Sequence, residues 1–259
     1  MRWPTRHLPV IVLAWSAVAH GHVGPSEREN NRYLKLTVQG NRARLLYTFY
    51  VGNEPGAQLR RRLDQNRDGR LDAAETEHFG VEVAAQVSTN VQLIVDGQRF
   101  QGKWEPPQVG LGTDTVAAGA LSVDLVVWLC LESPGTDERH TIELADHWHP
   151  PQLGETELRI EPAPGVHISR TSLGPESQGV QLRHRWAGRP GPLDEHGLVL
   201  EFMVDRREAD ISKHPACAPR DRSDASKTDQ QPGNFWLLAG LMAGLAMLAT
   251  VLAGRRRRR

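Results

Sequence analysis

The chain has 259 residues, with 31 lysines and arginines against 31 aspartates and glutamates, so its formal net charge is zero. Seven of the basic residues lie at the two ends, in residues 1–21 and 235–259, where there is no acidic residue. Residues 22–234 therefore carry 24 basic against 31 acidic side chains, about seven net negative charges. Such an acidic body argues against DNA or RNA as the partner.

The first residues have the layout of a secretory signal peptide. Two arginines precede an apolar run, Leu8–Ala19, whose end reads Ala-Val-Ala, the small-x-small pattern at which a signal peptidase cuts. We therefore predict a signal peptide over residues 1–19, with a cut after Gly21 as the alternative. A membrane anchor is disfavoured here, because the run is shorter than the ~20 residues that span a bilayer.

The last residues have the layout of a membrane anchor. Phe235–Gly254 contains no charged residue, is long enough to cross a bilayer, and is followed at once by Arg255–Arg259. Basic residues beside a membrane helix favour the cytoplasmic side. We predict a single-pass cell-membrane protein with its body in the periplasm or at the cell surface, joined by a flexible stalk at 213–234. The membrane is the first predicted partner and an envelope or membrane protein the second; a sorting signal that is later removed is the alternative for 235–254.

Between these ends, two predicted hairpins begin the body of the protein, residues 20–212. "RYLKLTVQG" alternates apolar and polar residues, and "RARLLYTFYV" returns after the turn residues Gly40-Asn41. Asp96-Gly97, within "NVQLIVDGQRF", is a second strong two-residue turn signal.

Short strands continue to the end of the body. They are predicted in "ALSVDLVVWLCLE", "RHTIELADHW", "TELRIEPA", "GVHISRTSL", "GVQLRHRWA" and "GLVLEFMVD". The long strand around Cys130 is expected to be largely buried. Strands at this spacing, separated by glycine and proline, indicate a mainly β fold, an Ig-like sandwich or open barrel.

One segment, "DQNRDGRLDAAE" at Asp64–Glu75, has a spacing that indicates chemistry. Oxygen-bearing side chains recur at alternate positions, and this suits a hard cation that takes six to eight oxygens at ~2.3 to 2.6 Å. Gly69 permits a sharp bend, and Leu71 is expected to point into the core. The predicted metal ligands are Asp64, Asn66, Asp68, the carbonyl of Arg70, Asp72 directly or through water, and both carboxylate oxygens of Glu75. The alternative is an acidic surface turn without a metal.

Helical patterns on both sides of the loop extend the motif. "EPGAQLRRRL" precedes it and "DAAETEHFGVEVAAQV" follows it, so that residues 54–87 resemble an EF-hand. The resemblance implies Ca²⁺ as the cofactor. Because the chain carries one such loop, where sensors of that family usually carry pairs, the resemblance implies a structural clamp more than a groove-exposing switch.

A second interpretation assigns the protein to transition-metal handling. The start "HGHV", a strand pair and the EF-hand-type loop together resemble bacterial periplasmic proteins that begin "HPHV" and occur beside nickel/cobalt transporters. After a cut behind Ala19, the terminal amine of His20 and the ring of His22 in third place would bind Cu(II) or Ni(II); after a cut behind Gly21, His22 would offer its amine and ring together. Other candidate ligands are His147 and His149 in "DHWHPP", with His140, His167 and His184 on other predicted strands.

The remaining signals are few. The sequence has no G-x-S-x-G, no H-E-x-x-H, no phosphate loop and no dinucleotide fingerprint, so we predict a protein that is not an enzyme. Its two cysteines, Cys130 and Cys217, permit one disulfide in an oxidising compartment; the alternative is two unpaired cysteines.

Overall fold

The computed structural model describes residues 28–100, 102–131, 139–173, 182–188, 191–205, 207–209 and Cys217. The predicted signal peptide with His20 and His22, the stalk apart from Cys217, the apolar segment 235–254 and the basic tail lie outside these residues. Within the part of the chain that the structure describes, no helix has both the length and the apolarity to cross a bilayer.

The first hairpin forms as its sequence predicts. Strands β1 (Asn30–Gln39) and β2 (Arg42–Val51) are antiparallel and pair along their whole length. Gly40, in the turn between them, has a φ of +55°, a conformation that glycine adopts without steric cost. The alternation of the sequence fixes which side is buried, and the inward residues Leu34, Leu36 and Val38 are at most 1% exposed.

Nine further strands complete two sheets. They are β3 (Val91–Val95), β4 (Gln98–Arg99), β5 (Gln108–Gly110), β6 (Leu121–Cys130), β7 (Arg139–Asp146), β8 (Leu153–Pro162), β9 (Val166–Thr171), β10 (Leu182–Ala187) and β11 (Leu198–Val204). One sheet has the order β10-β8-β1-β2-β6-β5 and the other β4-β3-β7-β11-β9. The prediction of a mainly β protein is therefore confirmed. All strand pairs are antiparallel except β1 with β8.

The helices lie where the chain passes from one sheet to the other. β2 of the first sheet leads into α1 (Asn53–Leu63), then the acidic loop, then α2 (Ala73–Asn90), which ends directly before β3 of the second sheet. Both predicted helices form. A third, α3 (Pro192–Glu195), is a single turn that the sequence reading did not predict.

One hydrophobic core joins both sheets and the inner face of α2. It includes Leu45 and Leu125 from the first sheet, Leu144 and Phe202 from the second, and Val83 from α2. A fully buried side chain of this kind stabilises the fold by ~1.5–3 kcal/mol. The prediction that β6 is largely buried is confirmed: none of its residues is exposed, and the residues that alternate with the core-facing ones are partly buried.

Two further predictions, on the cysteines and on the histidines after β7, can be compared with the structure. Cys130 and Cys217 are both disulfide-bonded, so the alternative of two unpaired cysteines is wrong. β7 ends at Asp146, and His147 and His149 therefore follow the strand, whereas the sequence had suggested that they belong to it.

Candidate functional site

The acidic loop occupies the connection between α1 and α2. Asp64 is the residue after the last turn of α1, where its backbone N–H still donates to the carbonyl of Arg60 at 3.0 Å. At the other end, Asp72 is the N-cap of α2 and Glu75 lies in the first turn of that helix. The ends of the candidate site are thus held by two helices.

The first half of the loop bonds its own amides through its side-chain oxygens. The Asp64 carboxylate accepts from the N–H groups of Asp68 at 3.1 Å and Gly69 at 3.2 Å. Asn66 Oδ1 accepts from the Asp68 N–H at 2.9 Å, and Asp68 Oδ1 accepts from the Arg70 N–H at 2.8 Å. These bonds coil the chain so that successive oxygens are brought to one turn of the loop.

The second half is closed by a reciprocal cap. Asp72 Oδ1 accepts from the Glu75 N–H at 2.9 Å, and Glu75 Oε2 accepts from the Asp72 N–H at 3.1 Å, which is a capping box. The other oxygen, Glu75 Oε1, accepts from the Gln65 N–H at 2.8 Å and so ties the end of the loop to its beginning. Glu75 is only 8% exposed. Asp72 and Glu75 therefore have a structural role that needs no metal, and the D-x-x-E spacing could have indicated it.

The bend predicted at Gly69 is present. Gly69 has a φ of +82°, and nothing lies within 4 Å of the place where a Cβ would stand. The constraint is therefore the backbone conformation and not lack of space. Arg67, two residues earlier, also has a positive φ, of 59°, so the loop carries strain at a residue other than glycine.

The centre of the loop pairs with a distant segment, Leu111–Ala120, which connects β5 to β6. The N–H of Leu71 donates to the carbonyl of Asp114 at 2.8 Å, and the N–H of Val116 donates to the carbonyl of Gly69 at 2.9 Å. Arg70 forms an antiparallel bridge with Thr115. Leu71 is 4% exposed and packs inward as predicted.

Arg60 of α1 holds that segment from the other side. Its side chain is fully buried, and its five N–H donors all reach backbone carbonyls of the segment: Nε to Gly119 at 3.1 Å, Nη1 to Thr113 at 2.7 Å and Thr115 at 3.1 Å, and Nη2 to Leu111 and to Ala120 at 2.8 Å. Removal from water lowers the pKa of Arg60 from its ordinary value. Full use of a guanidinium's five donors offsets the cost of burying its charge.

Sequence reading missed both Arg60 and the segment. Arg60 stands in a run of three arginines on a short polar helix, a pattern typical of a solvated face. The only local hint is Gly56, four residues earlier on the same face of α1, where an added Cβ would lie 2.3 Å from the carbonyl oxygen of Gly119.

The donor chemistry of the loop suits a hard cation, since every predicted ligand offers oxygen. Each carboxylate has lone pairs beyond those that its amide partners use. The carboxylates do not form a gathered cage: among the described residues, no three His, Cys, Asp or Glu side chains are grouped closely enough to hold a metal ion. Cation binding would therefore draw the loop oxygens together.

The histidines are arranged differently. His147 Nδ1 lies 3.0 Å from Asp194 Oδ1 and His149 Nε2 lies 3.3 Å from Asp194 Oδ2, so the structure brings these two together on one carboxylate. His140 is buried on β7, with Nδ1 2.9 Å from Asp96 Oδ2. The remaining two candidates lie on other strands, His167 on β9 and His184 on β10, and burial lowers the pKa of His184.

Comparison with known proteins adds no assignment: no family model matches the chain and no curated protein matches it.

Proposed function

We propose that this protein binds calcium in the loop Asp64–Glu75 and that the ion has a structural role. The observation that supports the proposal is the series of oxygen donors at alternating positions in a loop whose two ends are fixed by helices. Asp64, Asn66 and Asp68 each already turn a side-chain oxygen toward the loop backbone. No catalytic step is proposed.

The charge of the loop favours a divalent cation. Four carboxylates, from Asp64, Asp68, Asp72 and Glu75, lie within twelve residues, and they repel one another when no cation is near. Calcium accepts irregular coordination and both oxygens of one carboxylate, whereas magnesium demands a small octahedron. We therefore expect calcium to bind more tightly than magnesium, with a dissociation constant of ~0.1–1 mM, the range of extracellular modules.

The position of the loop supports a structural role over a sensing role. The loop lies in the connection that carries the chain from β2 of one sheet to β3 of the other. An ion that closes it would fix this connection. We further propose that the two sheets form an Ig-like sandwich, anchored outside the cytoplasm by the apolar segment 235–254.

The test uses Glu75→Gln, with Glu77→Gln as its matched control. Glutamine at the third helical position also completes a capping box, so Glu75→Gln removes a charged ligand and can keep the cap of α2 through its amide oxygen. Its NH2 group cannot accept the hydrogen bond from the Gln65 N–H, so each variant is compared with its own calcium-free melting temperature. Glu77 is an exposed acid of the same helix, two residues away and outside the loop. Both variants should fold in the absence of calcium.

Thermal unfolding across millimolar calcium decides the proposal. At a calcium concentration ten to a hundred times the dissociation constant, wild type and Glu77→Gln should gain ~1.4–2.7 kcal/mol by mass action. Glu75→Gln should lose most of that gain. If calcium stabilises wild type no more than it stabilises Glu75→Gln, each relative to its own calcium-free state, the loop is not a calcium site.

A further inference from the structure

The segment Leu111–Ala120 lies against the centre of the acidic loop and is here called the brace. Its backbone hydrogen bonds to the loop are made at Gly69 and Leu71, the two neighbours of Arg70. Arg70 is the residue whose carbonyl is the predicted backbone ligand. With the carbonyl before it and the N–H after it both bonded to the brace, the peptide groups on either side of Arg70 have fixed orientations.

We propose that the brace positions the loop for calcium, so that loop and brace act as one binding unit. The inference rests on the proposed function, because it assigns a role in the binding of that same ion. It adds residues from a part of the chain 40 to 50 positions away, between β5 and β6, to a site that the sequence confines to twelve consecutive residues.

Side chains reinforce the backbone pairing. The Arg70 guanidinium forms an ion pair with the Asp114 carboxylate, so the bridge between loop and brace is clamped on its exposed side. On the inner side, Leu71 is buried in the core. The middle of the loop is therefore held by backbone, charge and packing at once.

Arg60 gives the brace its own fixed shape. A guanidinium presents its donors in a rigid planar fork, and here all five point at carbonyls distributed along the ten residues of the brace. Arg60 contacts no predicted ligand side chain. It is a positioning residue, which acts on the loop through the brace.

Two consequences follow for the ion. A loop whose central backbone is already oriented loses less conformational freedom when calcium binds, so its affinity is higher than that of the same loop without support. By linkage, calcium that closes the loop also stabilises the pairing of loop and brace. Calcium should therefore protect amides in both segments.

Val116→Pro tests the pairing of loop and brace by removing one backbone N–H. Val116 is the second residue of a hydrogen-bonded turn, in which the Ala118 N–H donates to the Thr115 carbonyl at 3.0 Å. Proline is favoured at that position of a turn, and it removes the N–H that bonds the carbonyl of Gly69. Val116→Ala is the matched control, because it trims the side chain and retains the N–H.

Calcium affinity is measured by calorimetry on the full chain, with the calcium-free melting temperature recorded for each variant. We expect Val116→Pro to bind calcium about three- to tenfold more weakly than Val116→Ala, the effect of one hydrogen bond. A purely structural role would lower the calcium-free melting temperature and leave affinity unchanged. Equal affinity of the two variants overturns the brace and leaves the calcium site standing, whereas a wild type that binds no calcium overturns both proposals.

A second measurement needs no variant. In wild type, calcium should slow hydrogen exchange at the Leu71 and Val116 amides, which donate across the pairing. If calcium is bound and neither amide changes its exchange rate, the brace is not part of the binding unit. This result decides the matter even if Val116→Pro does not fold.

Discussion

Arg60 and Glu157 are two of the charged side chains that the fold buries, and their charges are met in opposite ways. The side-chain hydrogen bonds that Arg60 forms within the described part of the chain go to neutral backbone carbonyls and not to a carboxylate. Glu157 on β8 meets two arginines of the neighbouring β10, with Oε2 accepting from Arg183 at 2.6 Å and from Arg185 at 2.9 Å. The hydrogen bonds of Arg60 fix the backbone conformation of the brace. The ion pairs of Glu157 depend on the charge of its carboxylate and hence on pH.

The pH dependence of Glu157 follows from its surroundings. Burial raises the pKa of this carboxyl, but hydrogen bonds and charge from Arg183 and Arg185 outweigh burial, so the pKa lies below its ordinary value of 4.5. A lowered pKa in the folded state means that Glu157 stabilises the fold at pH values above the unfolded pKa. That stabilisation is lost as the pH falls through the lower, folded value.

The difference in free energy of unfolding between wild type and Glu157→Gln should therefore become smaller in acid. Urea unfolding at about pH 7 should show the variant to be less stable than wild type. As the pH falls below 4.5 toward the folded pKa, the difference in free energy of unfolding should shrink. A difference that stays constant from neutral to strongly acidic pH would contradict this account.

At the scale of elements, one face of α1 is shaped to lie against the brace. Asn53, Gly56 and Arg60 recur at helical spacing on that face. Asn53 Oδ1 accepts from the Ala120 N–H at 3.0 Å, and Gly56 permits the helix to approach the backbone at Gly119. The helix thus contacts the brace through the side chain of its first residue, a close backbone approach and a guanidinium.

Gly56→Ala should be more destabilising than Gly80→Ala. Both changes replace a helical glycine and gain ~1 kcal/mol of helix propensity. At Gly56 the new methyl would lie 2.3 Å from a backbone oxygen, whereas at Gly80 its nearest neighbours are side-chain carbons of Val109 and Pro107 at 3.0 and 3.3 Å. Side chains shift more easily than backbone, so we expect Gly56→Ala to cost ~1–3 kcal/mol and Gly80→Ala to stay within ~1 kcal/mol of wild type.

Urea denaturation in the absence of calcium measures the free energy of unfolding of both variants, so that calcium binding does not contribute to the comparison. Equal free energies of unfolding for the two would show that the approach of α1 to Gly119 is not tight in solution.

At the scale of the whole molecule, the placement of charge predicts how the chain sits in the cell. Arg255–Arg259 follow an uncharged apolar segment, and Arg2 and Arg6 precede another. A reporter enzyme that works only in the cytoplasm should be active when it is fused after Arg259. A reporter that works only after export should be active when it is fused near Asp229. An exported reporter at Arg259 would reverse the proposed orientation.

The sequence by itself determined the local elements of this protein. Alternating side chains fixed the buried faces of β1 and β2, and the turns at Gly40-Asn41 and Asp96-Gly97 set two hairpins, because period and turn chemistry are properties of consecutive residues. The helices on both sides of the acidic loop were likewise determined by consecutive residues. The calcium in that loop remains a prediction.

Only the tertiary structure decided which distant segments meet. β1 pairs with β8 in parallel, and this pairing places Arg32 beside Thr156, whose hydroxyl accepts from Arg32 Nε at 3.1 Å. Arg32 also meets Asp146 at the end of β7 in the other sheet, with Nη1 2.7 Å from Oδ2 and both side chains buried. It also decided that Arg60, one of three consecutive arginines, lies in the core and holds the brace. Period-2 alternation states which face of a strand is buried but not which strand lies beside it. An arginine's burial likewise depends on whether carbonyls 50 to 60 residues away converge on it, and no local pattern contains that information.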